Sequence, residues 1–457
     1  MTALEGLGAY VARGAPAAGA VRELVELHLI DTAGAWIASA AADEGRSLLG
    51  FRAAMRARGQ SDLGLDLSTR CALARLSEID DIHLPSMTTP GSIVIPAALT
   101  LAATIPAATT DDLTAAIVAG YEVMTRLGRA IDGPTVLYRG IWPTYFAAPF
   151  GVAAVAARLL KLDEKQAASA LALALTFAAP GVGHHNAATT SRWFAAGNAA
   201  RNGLNAALAA QQGFTSDLRL VEGNFLSGIY GVTPDLAAFT DGLDERLALT
   251  EVSYKPWCAA RQTMAATQAL KDIVRSGIKP SDITEIRASV LPPHLKMIDH
   301  GVIAGDRASH LTSLQYCMAV AALAPDMAFD VQQSPPSLPP AISDFMEKIR
   351  IEADQGLLAD YPRRWRARLR VVAGSRGREW LTNHVPGDPA EPFDRVRVRE
   401  KFLRFVSPAV GADKAEQVLA RCDDALGSDQ FTPLLAEIED ACASASDDHH
   451  FGRNASV

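Results

Sequence analysis

The chain has 457 residues, more than a single hydrophobic core usually supports, and its 49% hydrophobic and 21% charged residues are a globular composition, not a disordered one. A formal net charge of −8 argues against nucleic acid as a general partner, and no run reaches the ~18–20 uninterrupted apolar residues that a membrane span requires. Aromatic residues are only 6% of the chain, so alanine and leucine fill the core, which favours close helix–helix approach and a mainly helical protein.

The N-terminal sequence has no basic region followed by a compact apolar stretch, so no signal peptide is expected. The five cysteines are odd in number and widely spread, with no CxxC, as expected of free thiols in a reducing cytoplasm. Helical periodicity runs over 21–41, and 47–58 reads as a second helix. Residues 68–76 lead into the polar stretch 77–91, where Pro85 and Pro90 prevent a regular helix and predict a loop. A helix resumes over 96–103 with Pro96 near its first turn, and Thr110, Asp111 and Asp112 cap another over 113–131. Two alanine-rich segments, 146–160 and 166–179, are hydrophobic nearly all round and belong in the middle of a core. After the polar insert 181–192 comes a helix over 194–212 with Gly213 as its C′ residue. On it Asn198, Arg201, Asn202 and Asn205 form a polar stripe that needs solvent or a site to face.

The pattern changes after residue 263. A helix over 264–276 is followed by alternating strands at 283–291 and 366–373, with a helix at 309–322 between them and a third strand at 346–352. Residues 385–392 are rich in turn formers, and helices return at 395–406, 412–426 and 432–443. The fold expected is mainly α. Both chain ends (1–264 and 393–443) form an all-helical bundle domain, a smaller α+β domain (265–392) is inserted, and 444–457 is a loose tail.

Generic catalytic signatures are absent: there is no GxSxG, Walker loop or HExxH. Gly181-Val-Gly183 is half a dinucleotide fingerprint and follows a helical pattern instead of a strand. The pairs His184-His185 and His449-His450 point their rings apart on either a helix or a strand, so no metal site is expected. The order of segments is more specific: DDIHLPSMTTPGSIVIPAAL, GYEVMTRLG, AAGNAARNGLNAALAAQQGFTS, VEG, SYKPWC, SLQY, VPGDPAEPF and KF. In order and spacing, over about residues 21–405, they resemble the MmgE/PrpD family: 2-methylcitrate dehydratase, cis-aconitate decarboxylase and iminodisuccinate epimerase. The resemblance implies a helical domain with an inserted α+β lid and an active site between the two domains. It also implies a homodimer, no metal or organic cofactor, and a small anionic polycarboxylate substrate.

The chain departs from the dehydratase and decarboxylase pattern at several positions. In the first motif, which resembles DDxHxxxxxHPG, Asp80, Asp81 and His83 are kept, but the second histidine position is Thr89. A middle histidine falls at Trp142, and the lysine before the G-N-A-A helix is Arg192; Lys255 and Tyr316 are kept. Dehydration needs a base at carbon and an acid at the departing hydroxyl, for which histidine is well suited, so losing both imidazoles points to the epimerase branch.

An epimerase needs a proton carrier on each face of the carbon and positive charge to hold the carboxylates. Arg192 is the carboxylate clamp, because a guanidinium offers a bidentate fork and keeps its proton. Lys255 binds a carboxylate or acts as a base, and Tyr145 is a base if Arg192 and Lys255 lower its pKa. Asp81 and His83 supply the opposite-face base or brace their loop by hydrogen bonds. Thr89 and Trp142 shape the substrate pocket, with Trp193; Tyr316 contacts substrate by resemblance, and Arg261 and Gln262 add carboxylate contacts. His184 faces the cleft or solvent. Cys258 lacks the neighbouring base that a catalytic thiol needs. Three functions remain open: an epimerase of the iminodisuccinate type, a hydro-lyase or decarboxylase on a citrate-, 2-methylcitrate- or aconitate-like acid, and a non-catalytic carboxylate-binding paralogue.

Overall fold

The structure, a computed structural model, describes residues 1–14, 19–179, 181, 189–374 and 376–447. It is mainly α-helical with one small sheet. The described residues group into two units. One takes in nearly all of the chain up to Ser253 together with Asp394 onward, and the other is Tyr254–Phe393. No helix among the described residues is long and apolar enough to cross a membrane.

In the first unit the successive helices are α1 (Ala3–Arg13), α2 (Ala20–Ala40), α3 (Asp43–Ala57), α4 (Leu63–Leu76), α5 (Gly91–Ala102) and α6 (Thr110–Ala130). They continue with α7 (Pro143–Leu159), α8 (Glu164–Thr176) and α9 (Ser191–Gln211). The helix α7 is buried on every side from Pro143 to Ala157, as its unbroken apolar sequence requires. It packs against α6, α8 and α9, and α9 packs in turn against α4. Two glycines permit this double contact. A Cβ on Gly203 would lie 2.3 Å from the carbonyl oxygen of Pro149 on α7, and one on Gly197 would lie 2.2 Å from that of Ser68 on α4. The polar stripe of α9 faces outward: Asn198 and Asn205 are exposed, Arg201 pairs with Asp62 at 2.5 Å, and Asn202 donates to the Phe177 carbonyl.

Capping fixes several helix starts. Asp62, Thr109 and Asp163 each accept a backbone N–H three residues on, and the last two complete capping boxes with Asp112 and Gln166. The cap of α6 is therefore Thr109, one residue before the expected position. The helix α5 begins at Gly91, so Pro96 lies within it instead of in its first turn.

The second unit opens with α10 (Arg261–Arg275), which packs on a four-stranded sheet. The sheet contains β1 (Ile283–Val290), β2 (Ile349–Ala353), β3 (Ala367–Ala373) and β4 (Arg376–Thr382), in the order β2-β1-β3-β4. The β1–β2 pair is parallel and the other two are antiparallel, with Ala288 opposite both Ile351 and Leu369. The fourth strand is absent from the sequence reading because RGREWLT has no buried alternating face; Gly377–Leu381 are exposed, as suits a charged edge. The expected helix at 309–322 is two, Arg307–Thr312 and α11 (Leu314–Leu323). Ser313 breaks them, with ψ 113°, and its hydroxyl accepts from the Tyr316 N–H to cap the second. After the second unit, α12 (Arg395–Val410), α13 (Ala412–Ser428) and α14 (Phe431–Asp447) rejoin the first, α12 packing on α2. Helix α14 extends to Asp447, into the stretch expected to be loose; the rest of that tail, 448–457, lies outside the described residues.

Gly203→Ala should destabilise the protein by about 1–3 kcal/mol by overpacking α9 on α7. Gly50→Ala, in α3 with nothing within 4 Å of the added Cβ, should instead stabilise it by about 0.5–1 kcal/mol. Urea unfolding of the two variants beside the wild type measures both.

Candidate active site

Loop 77–90 is held from several sides. Two residues in it, Glu78 and Met87, adopt the left-handed region at φ 57° and 56°. Ile82 exchanges both backbone hydrogen bonds with Ser253, and the His83 N–H donates to the Thr88 carbonyl. Asp81 is wholly buried. Its carboxylate accepts from the Tyr121 hydroxyl (2.7 Å) and the Gly91 N–H (2.8 Å), and meets His28 Nδ1 at 2.9 Å. Gly91 has to be glycine, since a Cβ would lie 2.6 Å from Asp81 Oδ2. Asp81 is thus a brace tying the loop to α2, α5 and α6, and not an open base. The neighbouring Asp80 accepts from Arg75 Nη1 at 3.0 and 3.2 Å, while Arg75 Nη2 donates to Glu78 at 2.8 Å. From the chain end, Lys401 donates to Asp31 (2.5 Å) and to the Ile79 carbonyl (2.7 Å), which gives the Lys-Phe motif a structural task.

His83 is also fully buried, and both ring nitrogens have partners: Ser86 Oγ at 2.8 Å and Glu251 at 3.4 Å. Burial pushes its pKa down and Glu251 only partly restores it, so the ring is neutral near pH 7.

The structure brings five of the expected residues, Thr89, Trp142, Tyr145, Arg192 and Trp193, together near the starts of α7 and α9. Thr89 donates its N–H to Thr144 Oγ1 at 3.0 Å, which sets the end of the loop beside Tyr145. The Trp142 ring lies 5.7 Å from the Tyr145 ring. The Arg192 guanidinium sits 5.3 Å from the centre of Trp142 and 5.6 Å from that of Trp193, and Arg192 is only 6% exposed. Tyr145 is 1% exposed, and its hydroxyl has no hydrogen-bond partner among the described residues. A buried hydroxyl left unpaired costs about 1–3 kcal/mol. Burial pushes its pKa up, and the charges of Arg75 and Arg192 pull it back without cancelling that effect. Tyr145 therefore holds its proton near neutrality. The expectation that nearby cations lower its pKa is corrected: desolvation outweighs them, and the phenol keeps its proton.

In the second unit Lys255 is 2% exposed. Arg261 is equally buried, and its Nη2 holds both carboxylate oxygens of Asp388 at 2.7 and 2.8 Å. That ion pair fixes the turn at 385–388, where Asp388 also accepts the Val385 N–H. Tyr316 donates to Gln333 at 3.2 Å. It lines a small pocket with Trp257, Cys258, Lys271, Cys317 and Gln333. The expectation for His184 falls outside the described residues. Sequence reasoning missed Arg75, Thr144 and the buried His28–Asp81–Tyr121 group. It also missed His294, whose imidazole packs edge-on against Trp365 at 4.6 Å.

Residues 5–236 match the model of the MmgE/PrpD N-terminal domain, and residues 257–425 match that of the MmgE/PrpD C-terminal domain. No curated protein matches the chain. The chain belongs to the MmgE/PrpD family, whose members are enzymes that act on small organic acids.

His294 provides a pH test of the second unit. Burial, and then the charge of Arg261, pushes its pKa down to about 3. Between pH 6.5 and that value the unfolded chain binds a proton that the folded state refuses, so stability falls as pH falls, by about 1.4 kcal/mol per unit. Urea unfolding from pH 7 to 5 should show a loss in the wild type about 2 kcal/mol larger than in His294→Phe; parallel slopes would contradict this.

Proposed function

We propose that this MmgE/PrpD enzyme moves a proton at the carbon next to a carboxylate in a small polycarboxylate, as an epimerase of the iminodisuccinate type. The observation that supports this reading most is the pairing of Arg192, buried between two indoles, with the unpartnered and protonated hydroxyl of Tyr145. A guanidinium between apolar walls holds a carboxylate more strongly than an exposed one does, because little water competes. Charge that develops on the substrate as the carbon loses its proton is stabilised by the same cation. Tyr145 then donates a proton to carbon on one face, and the carboxylate bound to Arg192 keeps the reacting carbon in register.

Inversion needs a second proton carrier, and for this role we propose Lys255, with Tyr316 and Arg261 as further substrate contacts. The two positions where histidine would serve an acid–base dehydration carry Thr89 and Trp142, and His83 is engaged by Ser86 and Glu251. These substitutions favour the epimerase over a hydro-lyase or decarboxylase acting on a citrate- or aconitate-like acid.

Proton NMR in D₂O with iminodisuccinate stereoisomers, citrate, 2-methylcitrate and cis-aconitate tests the proposal. Loss of an α-proton signal with stereoisomer interconversion and no vinyl signal is the expected result. Vinyl signals appearing or vanishing would assign the chain to lyase chemistry instead. Tyr145→Phe should lower kcat by about 10²–10⁴-fold with little change in KM. Arg192→Met should abolish saturable substrate binding by calorimetry.

A further inference from the structure

Arg75 lies on α4, five residues before Asp80, and is 7% exposed. Two of its nitrogens are committed to Asp80 and Glu78, and its Nε is buried without a partner among the described residues. Those ion pairs explain why the loop needs a cation at this point. They do not explain where the guanidinium lies, 5.6 Å from the centre of the Trp193 ring, the same distance at which Arg192 meets that indole. Trp193 thus contacts two buried guanidinium groups, and Arg192 also meets Trp142, which lies against Tyr145.

We propose that Arg75 is a positioning residue of the proton-donor site, fixing the Trp193 wall against which Arg192 lies and supplying positive charge beside Tyr145. The inference rests on the reading of Tyr145 as the proton donor. Four charged groups act on that phenol: Arg75 and Arg192 favour its ionised form, while Glu78 and Asp80 disfavour it, and Arg75 acts most strongly. The geometry that ties Arg75 to the site is its place 5.6 Å from the centre of the Trp193 ring, which Arg192 meets at the same distance. Glu78, which accepts from Arg75 Nη2 at 2.8 Å and stands at a left-handed position, opposes Arg75 in its effect on the phenol.

The test is direct titration of the phenol, which requires neither substrate nor turnover. Trifluorotyrosine placed at position 145, whose phenol ionises at a lower pH than tyrosine, reports its ionisation by fluorine NMR. Arg75→Gln should raise the apparent pKa by about 1 unit or more, the usual effect of removing an opposite charge at close range. Glu78→Gln should lower it. Arg75→Lys should leave it near the wild-type value while altering Trp193 fluorescence, because the charge is kept and the planar stacking is lost. If Arg75→Gln fails to fold, as judged by circular dichroism, Glu78→Gln and Arg75→Lys still decide the matter. Identical titration in every folded variant would reduce Arg75 to a loop-holding ion pair and overturn the proposal. The reading of Tyr145 as donor fails separately, if Tyr145→Phe retains full turnover.

Discussion

A single buried carboxylate sets the geometry of the first unit's site. Asp81 collects the Tyr121 hydroxyl from α6, the Gly91 N–H at the start of α5 and the His28 ring from α2. A buried carboxylate with those partners is satisfied, and the loss of any one leaves a charge or a donor stranded in a low-dielectric interior. Loop 77–90 contains two prolines and two residues at positive φ, so it has little preference of its own for this shape. The ligands of Asp81, with the Arg75 pairs and the Lys401 contact to Ile79, choose it. Once the loop is placed, the Thr89–Thr144 bond sets the first turn of α7, and with it Trp142 and Tyr145.

The site is rigid for a related reason. The Gly203 approach of α9 to α7 leaves no room for a Cβ, and Arg192 and Trp193 stand two and three residues after the N-cap of α9. Backbone contact between two helices therefore holds the guanidinium and the phenol in register. As the proposed clamp, Arg192 needs its indole walls, since a guanidinium in water gains little from a carboxylate that water solvates equally well.

Much of this was legible in the sequence, and the failures have identifiable causes. The all-round apolar segments became α7 and α8, buried as their composition demands, and the family motifs lie where the order of segments put them. Helix boundaries were misplaced where a side-chain oxygen or an early glycine decided them: Thr109 caps α6, Gly91 opens α5, and Ser313 splits a continuous helical pattern. The edge strand β4 was invisible because exposure removes the alternation on which strand recognition depends. Arg75 sat in plain view five residues before Asp80. Nothing in the spacing, however, indicates that α9 would return and lay Trp193 on its guanidinium.

Tyr145 shows most clearly what the sequence leaves undecided. The residues that bear on its proton were partly in view, with Arg192 named as a neighbour and a lowered pKa the natural inference. Charge is only one of two opposing effects, and the other, desolvation, is set by packing. Trp142 and Thr144 adjoin the phenol in the turn that opens α7, and α7 itself is buried on every side. Burial at that depth outweighs two guanidinium groups that Glu78 and Asp80 partly offset. The resting state of the residue changes with it, from an ionised phenolate to a phenol that keeps its proton. The same composition with a wetter pocket would leave the charges dominant and the phenol nearer ionisation. The protonation state at this position therefore follows from how tightly α7 is enclosed, a property of the folded helices that no short motif records.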